Sequence, residues 1–117
     1  MLYLAFVIFV IVFLGGLFLA YQHFQENAVP ISLAMGHGVG GALGLVILYF
    51  VASNLGSTTL WVAFGLYVLA AVGVFTLTTY SRFIGDGAPK AMIVGHGLVA
   101  VLGCGALTLG VYGVLAG

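Results

Sequence analysis

The chain has 117 residues, 64% of them hydrophobic and 3% charged, with a formal net charge of zero and a mean hydropathy of +1.36. With only Glu26, Arg82, Asp86 and Lys90 charged, it cannot cover itself with solvated surface, so a water-soluble globule is excluded and an integral membrane protein is expected. The zero net charge gives no case for nucleic-acid binding.

The first apolar segment runs from Leu2 to about Tyr21. No basic residue precedes it and its apolar stretch is long for a secretory signal, so a retained helix is expected. The second runs from Pro30 to about Ala52, the third from about Thr59 to Tyr80, and the fourth from Pro89 to about Leu115. Each has roughly 20 residues or more, enough at about 1.5 Å per residue to cross a hydrocarbon core about 30 Å thick. The segments are too long for barrel strands and lack their two-residue alternation.

The connections Gln22 to Val29, Ser53 to Thr58 and Ser81 to Ala88 are short and polar, which predicts antiparallel neighbours. The expected fold is all-α: a single transmembrane domain over residues 1–117, an up-down-up-down four-helix bundle. Arg82 and Lys90 flank the third connection, and the excess of cations on cytoplasmic loops then predicts loops 22–29 and 81–88 in the cytoplasm and both termini outside. Tyr3, Tyr49, Trp61 and Tyr112 fall near one membrane face, and Tyr21, Phe24, Tyr80 and Phe83 near the other.

One short pattern occurs twice. Pro30 is followed seven residues later by His37 within Gly36-His37-Gly38, and Pro89 by His96 within Gly95-His96-Gly97, 59 residues further on. The same offset pairs Tyr21 with Tyr80, Phe24 with Phe83, Leu43 with Leu102, Gly44 with Gly103 and Leu48 with Leu107. A duplicated hairpin is expected, with repeat 1 over about 1–58 and repeat 2 over about 59–117. Both copies would enter the membrane from the same side, as a parallel repeat about an axis along the membrane normal. His37 and His96 then lie at one depth, roughly 10 Å in from the charged face.

In such a bundle the second and fourth helices are diagonal, so the two imidazoles can face one another. That is the arrangement of a planar cofactor with two axial nitrogen ligands, for which haem b is the first candidate, one per chain. Two intramembrane histidines at one depth need a common reason. Polar packing and proton or quinone chemistry are the alternatives to ligation.

The face shared with His37 carries Leu33, Ala34, Gly40, Gly41 and Gly44, and that shared with His96 carries Met92, Ile93, Val99, Ala100 and Gly103. Small residues let backbone approach a macrocycle, although glycine faces alone are more simply read as helix packing. Propionates would need partners at the charged face, where Arg82, Lys90, Tyr21 and Tyr80 stand. Arg82 and Lys90 read equally well as topology determinants snorkelling to headgroups, and His23 as a solvated loop residue. The single Cys104 reads as a small buried packing residue, with no internal disulfide. The absence of a carboxylate within the four segments argues against a proton-coupled antiporter, and no phosphate loop, zinc cluster or nucleophile-base set is present in the sequence.

In its four segments and its paired histidines the chain resembles the small b-type membrane cytochromes of the cytochrome b561 kind. It is also similar to small bacterial membrane proteins with a proline and a His-Gly in each hairpin, here Pro30 with His37-Gly38 and Pro89 with His96-Gly97. The resemblance implies a bacterial inner-membrane electron carrier, working with quinone or a redox partner subunit. One departure stands out: those cytochromes generally carry two haems on four histidines, and this chain has two deep histidines. Two other readings remain: an accessory subunit of a larger respiratory or photosynthetic complex or a homodimer, and a chlorophyll-type pigment protein with one magnesium on each histidine.

Overall fold

A computed structural model describes the backbone of residues 1–84 and 89–117, with every side chain except those of Leu77, Thr78, Tyr80, Ser81, Arg82 and Ile84. All regular structure among the described residues is helical: α1 (Leu2–Phe24), α2 (Ile31–Leu55), α3 (Thr58–Ile84) and α4 (Lys90–Ala116). Each of the four contains a span long and apolar enough to cross a membrane, compatible with an integral membrane protein.

Local chemistry sets the ends. Pro30 and Pro89 cap α2 and α4 from extended conformations, where the missing proline N–H leaves no donor unsatisfied. Their carbonyls take up the first helical amides, with Ala34 N–H to Pro30 O at 3.1 Å and Met92 N–H to Pro89 O at 3.0 Å. α2 stops at Gly56, whose φ of 60° is the left-handed conformation of a helix C-cap. Its N–H donates to Ala52 O at 2.9 Å, and Ser57 Oγ accepts from Leu60 N–H at 3.4 Å to begin α3. Beyond α1, Glu26 N–H and Asn27 N–H return to His23 O and Gln22 O, satisfying carbonyls that the helix end leaves open.

α1 packs on α2 and α4, and α3 packs on the same two helices; α1 and α3 make no close backbone approach, nor do α2 and α4. The molecule is 49 Å long and about 20 Å across. Among the described residues the buried ones run from the end that holds Leu60 to Ala70 at the level of His96: Ala5 and Phe9 of α1, Leu48, Val51 and Ala52 of α2, Leu60, Ala63, Tyr67 and Ala70 of α3, and Leu107 of α4, with Gly44, Gly103 and Gly110 between them. No residue in 10–43 or 90–102 is fully buried. Large apolar side chains such as Ile11, Leu14, Met35, Val39, Leu98 and Leu102 point outward, as expected where the surrounding solvent is lipid.

The packed end is organised by one sandwich. Phe9 and Tyr67 stack with ring centroids 3.8 Å apart and planes 6° from parallel, joining α1 to α3 across the centre. A Cβ on Gly44 would meet the Phe9 ring at 3.0 Å, and one on Gly103 would meet the Tyr67 ring at 3.0 Å. All four helices therefore meet at this level, two through aromatic rings and two through bare backbone. Tyr67 also donates its hydroxyl to Cys104 Sγ at 3.1 Å. Cys104 is half-buried, where the sequence suggested a wholly buried packing residue.

Candidate functional site

His37 and His96 stand two turns into α2 and α4 and meet between the helices, with ring centroids 6.2 Å apart and planes at 74°. Both rings are held from behind by backbone. His37 Nδ1 lies 2.9 Å from Val12 O on α1, and His96 Nδ1 lies 2.8 Å from Ala70 O on α3. A carbonyl oxygen only accepts, so Nδ1 must carry the proton in each ring, and in a neutral imidazole Nε2 is then a bare lone pair. Among the described residues neither Nε2 has a hydrogen-bond partner. A backbone carbonyl on the far nitrogen is the usual support of a metal-ligating histidine, because it fixes the tautomer and the ring direction.

Both rings line an apolar cavity of about 190 Å³, walled also by Val12, Phe13, Gly41, Ala42, Ala71, Val74 and Ala100, with Phe9 and Tyr67. A second cavity of about 300 Å³ lies between α1 and α2, lined by Ile8, Ile11, Gly15, Leu33, Gly36, Gly40 and Leu43. His37 borders both. The described residues include no cluster of three or more His, Cys, Asp or Glu, so the site offers a metal two imidazole nitrogens and no closed tetrahedral set.

The residues singled out from sequence divide into three groups. Gly41 and Ala100 line the cavity with the histidines. Gly40, Gly44 and Gly103 give their space to neighbouring side chains, a Cβ at Gly40 meeting Val12 at 2.9 Å while Phe9 and Tyr67 cover the other two. Met92 is half-buried one turn before His96. At the charged face Tyr21 is exposed, and the ammonium of Lys90 sits over the Phe24 ring at 5.8 Å. The side chains of Tyr80 and Arg82 lie outside the described residues.

Pattern reading missed the supports of the two histidines, because they sit on the partner helices: the carbonyls of Val12 and Ala70, and the glycines beside them. A Cβ on Gly16 would lie 2.8 Å from His37 Cε1, and one on Gly73 would lie 3.7 Å from His96 Nδ1. The adjacent Gly15 and Gly16 inside an apolar helix are the one visible signal.

The offset between matching positions also differs from helix to helix. Gly44 and Gly103, Leu48 and Leu107, and the two histidines are 59 apart, whereas Ala5 and Ala63, Phe9 and Tyr67, and the supporting carbonyls of Val12 and Ala70 are 58 apart.

No family model, curated protein or solved structure matches this chain.

Proposed function

We propose that the protein is a membrane-embedded b-type cytochrome that carries single electrons through one haem b held by His37 and His96. The observation that carries this reading is the ring pair: two metal–nitrogen bonds of about 2 Å each, with the imidazole radii added, bring facing ring centres to roughly 6 Å, against 6.2 Å here. The Nδ1–H bonds to Val12 O and Ala70 O leave Nε2 of both rings as the ligating atom. Haem held by both histidines would supply a one-electron iron couple and would leave oxygen no open position at the metal.

The chain's own residues hold, orient and insulate. Val12 and Ala70 fix the imidazole planes and raise ligand basicity through their hydrogen bonds. Phe9, Tyr67, Val12 and Val74 keep the surroundings apolar, and burial of that kind is a main lever on reduction potential. Gly41, Ala42, Ala71 and Ala100 line the cavity with the histidines and would let backbone approach the faces of a macrocycle. Lys90 and Tyr21 stand nearest the charged face as partners for propionates, with Arg82 and Tyr80 assigned the same role from sequence alone.

The matching buried positions and matching histidine supports favour an up-down-up-down bundle of two parallel-repeat hairpins, with loops 22–29 and 81–88 on the cytoplasmic side of a bacterial inner membrane and quinone or a partner subunit as redox partner. The ring separation disfavours two stacked pigments, since 6.2 Å holds one metal between imidazoles and a second macrocycle would add its own thickness. An accessory-subunit role or a homodimer is compatible with electron transfer, and it draws support from Gly36, Gly95, Gly97 and Gly105, where an added Cβ would meet nothing.

The deciding experiment is the absorption spectrum of the detergent-purified protein, oxidised and dithionite-reduced, with haem quantified per chain. A low-spin b-type spectrum at about one haem per chain is expected, lost on replacing either His37 or His96 with alanine. A colourless protein unchanged by added haem, or a low-spin spectrum surviving in both variants, refutes the assignment.

A further inference from the structure

The two histidines have similar hydrogen bonds but different seats. At Gly73 and at Gly15, 58 residues earlier, the seats are alike, a notional Cβ lying 3.7 Å from His96 Nδ1 and 4.0 Å from His37 Nδ1; the difference comes one residue later. Behind His37, the three heavy atoms nearest to a notional Gly16 Cβ all belong to the imidazole: Cε1 at 2.8 Å, Nδ1 at 3.5 Å and Nε2 at 3.6 Å. A separation under 3.0 Å is one that real Cβ atoms essentially never show, so the His37 ring occupies the volume a side chain at position 16 would take. By the 58-residue offset of α1 and α3, position 16 corresponds to position 74, where Val74 carries a branched side chain into the cavity wall. One half of the site fills this position with its own side chain, and the other fills it with the histidine.

We infer that Gly16 is a positioning residue, whose missing side chain seats the His37 ring against α1 and thereby aims its Nε2 at the cavity. The contact atom makes the effect specific. Cε1 lies between the two ring nitrogens, so a methyl group pressing there displaces both: Nδ1 is driven from Val12 O, now at 2.9 Å, and Nε2 swings away from His96. A stiff imidazole cannot yield by a terminal rotation as a long flexible side chain would. Gly15, one residue earlier, is not equivalent, since its Cβ would stand 4.0 Å from Nδ1. As to what the seat is for, the inference rests on the haem reading; as to the ring's position, it does not.

The test is a cycle of Gly16→Ala and His37→Ala in the full-length protein in detergent, with Gly15→Ala as the matched helix control. Histidine tautomers are read by ¹⁵N NMR of histidine-labelled protein, stability by thermal melting, and haem by its spectrum after reconstitution. Gly16→Ala is expected to abolish the Nδ1–H, bare-Nε2 signature of one histidine while the other keeps it, to lower the melting temperature, and to weaken haem retention at least tenfold; Gly15→Ala leaves the tautomers intact. Because His37 supplies the nearest obstruction, Gly16→Ala lowers the melting temperature in the parent background and not in the His37→Ala background, which also decides the matter if Gly16→Ala alone folds poorly. Unchanged tautomers in a folded Gly16→Ala protein, or an equal drop in both backgrounds, would overturn the inference. Absence of haem from the parent protein together with a changed His37 signature would sink the cytochrome reading and leave the positioning role standing.

Discussion

Gly103→Ala tests whether the aromatic sandwich organises the packed end. The new Cβ would lie 3.0, 3.1 and 3.2 Å from Tyr67 Cε1, Cδ1 and Cζ, against 3.4–4 Å for ordinary contact, so the ring must recede by a few tenths of an ångström. It has nowhere to go, because Phe9 stacks on it at 3.8 Å and Phe9 is itself backed by Gly44 at 3.0 Å from a notional Cβ. Overpacking of this kind costs about 1–3 kcal/mol. Alanine also gains about 0.5–1 kcal/mol over glycine in a helix interior, so the net loss is about 0–2.5 kcal/mol. The propensity gain cancels against Gly105→Ala, two residues on in the same helix, where a Cβ meets nothing within 4 Å. Equilibrium unfolding in mixed micelles, followed by far-ultraviolet circular dichroism, should place Gly105→Ala at or slightly above the parent and Gly103→Ala about 1–3 kcal/mol below Gly105→Ala. A gap under about 0.5 kcal/mol, within the usual scatter for independent surface changes, would refute the sandwich as a rigid element.

Leu48 has no exposed surface, and Leu48→Ala should destabilise by about 2 kcal/mol in the same assay, the low end of the range for buried leucine, because lipid tails are as apolar as the core and mainly lost packing is felt; a loss under about 1 kcal/mol would mean that the helices collapse into the gap. Tyr67→Phe removes the donor to Cys104 Sγ and keeps the stack, so a loss of at most about 1 kcal/mol is expected from a bond to a weak sulfur acceptor. A thermal-melting difference corresponding to more than about 2 kcal/mol would mean that the hydroxyl has a further partner.

The apolar spans and the helix starts were legible because they depend on local quantities, whereas α1, α2 and α3 run past the expected ends at Tyr21, Ala52 and Tyr80 to Phe24, Leu55 and Ile84, since polar residues such as Gln22 and Ser53 continue a helix without breaking it. Composition alone demanded a lipid environment, and Pro30 and Pro89 stand as caps immediately before α2 and α4. The recurrence of His37 and His96 was legible as well, since a polar side chain inside an apolar run is conspicuous. Rotational phase was not legible. A helix apolar all round shows no preferred face, so nothing in the sequence indicated that Gly44 and Gly103 lie under aromatic rings while Gly41 borders the cavity. The histidine supports were hidden for a second reason: Val12 and Ala70 act through backbone carbonyls, which carry no residue signature. The Tyr67–Cys104 bond joins positions 37 residues apart, and the buried rings Phe9 and Tyr67 stand 58 apart, off the 59-residue offset read from the histidines.

Among the described residues, buried side chains gather toward the end that holds Leu48, Leu60 and Leu107, so the two ends of the molecule should differ in how readily they open. Opening free energies follow the density of buried contacts, so the amides flanking His37 and His96 should exchange through local fluctuations while those around Leu48 and Leu107 wait for global unfolding. On the proposed reading, haem uptake would be governed by opening at the histidine end rather than at the packed end.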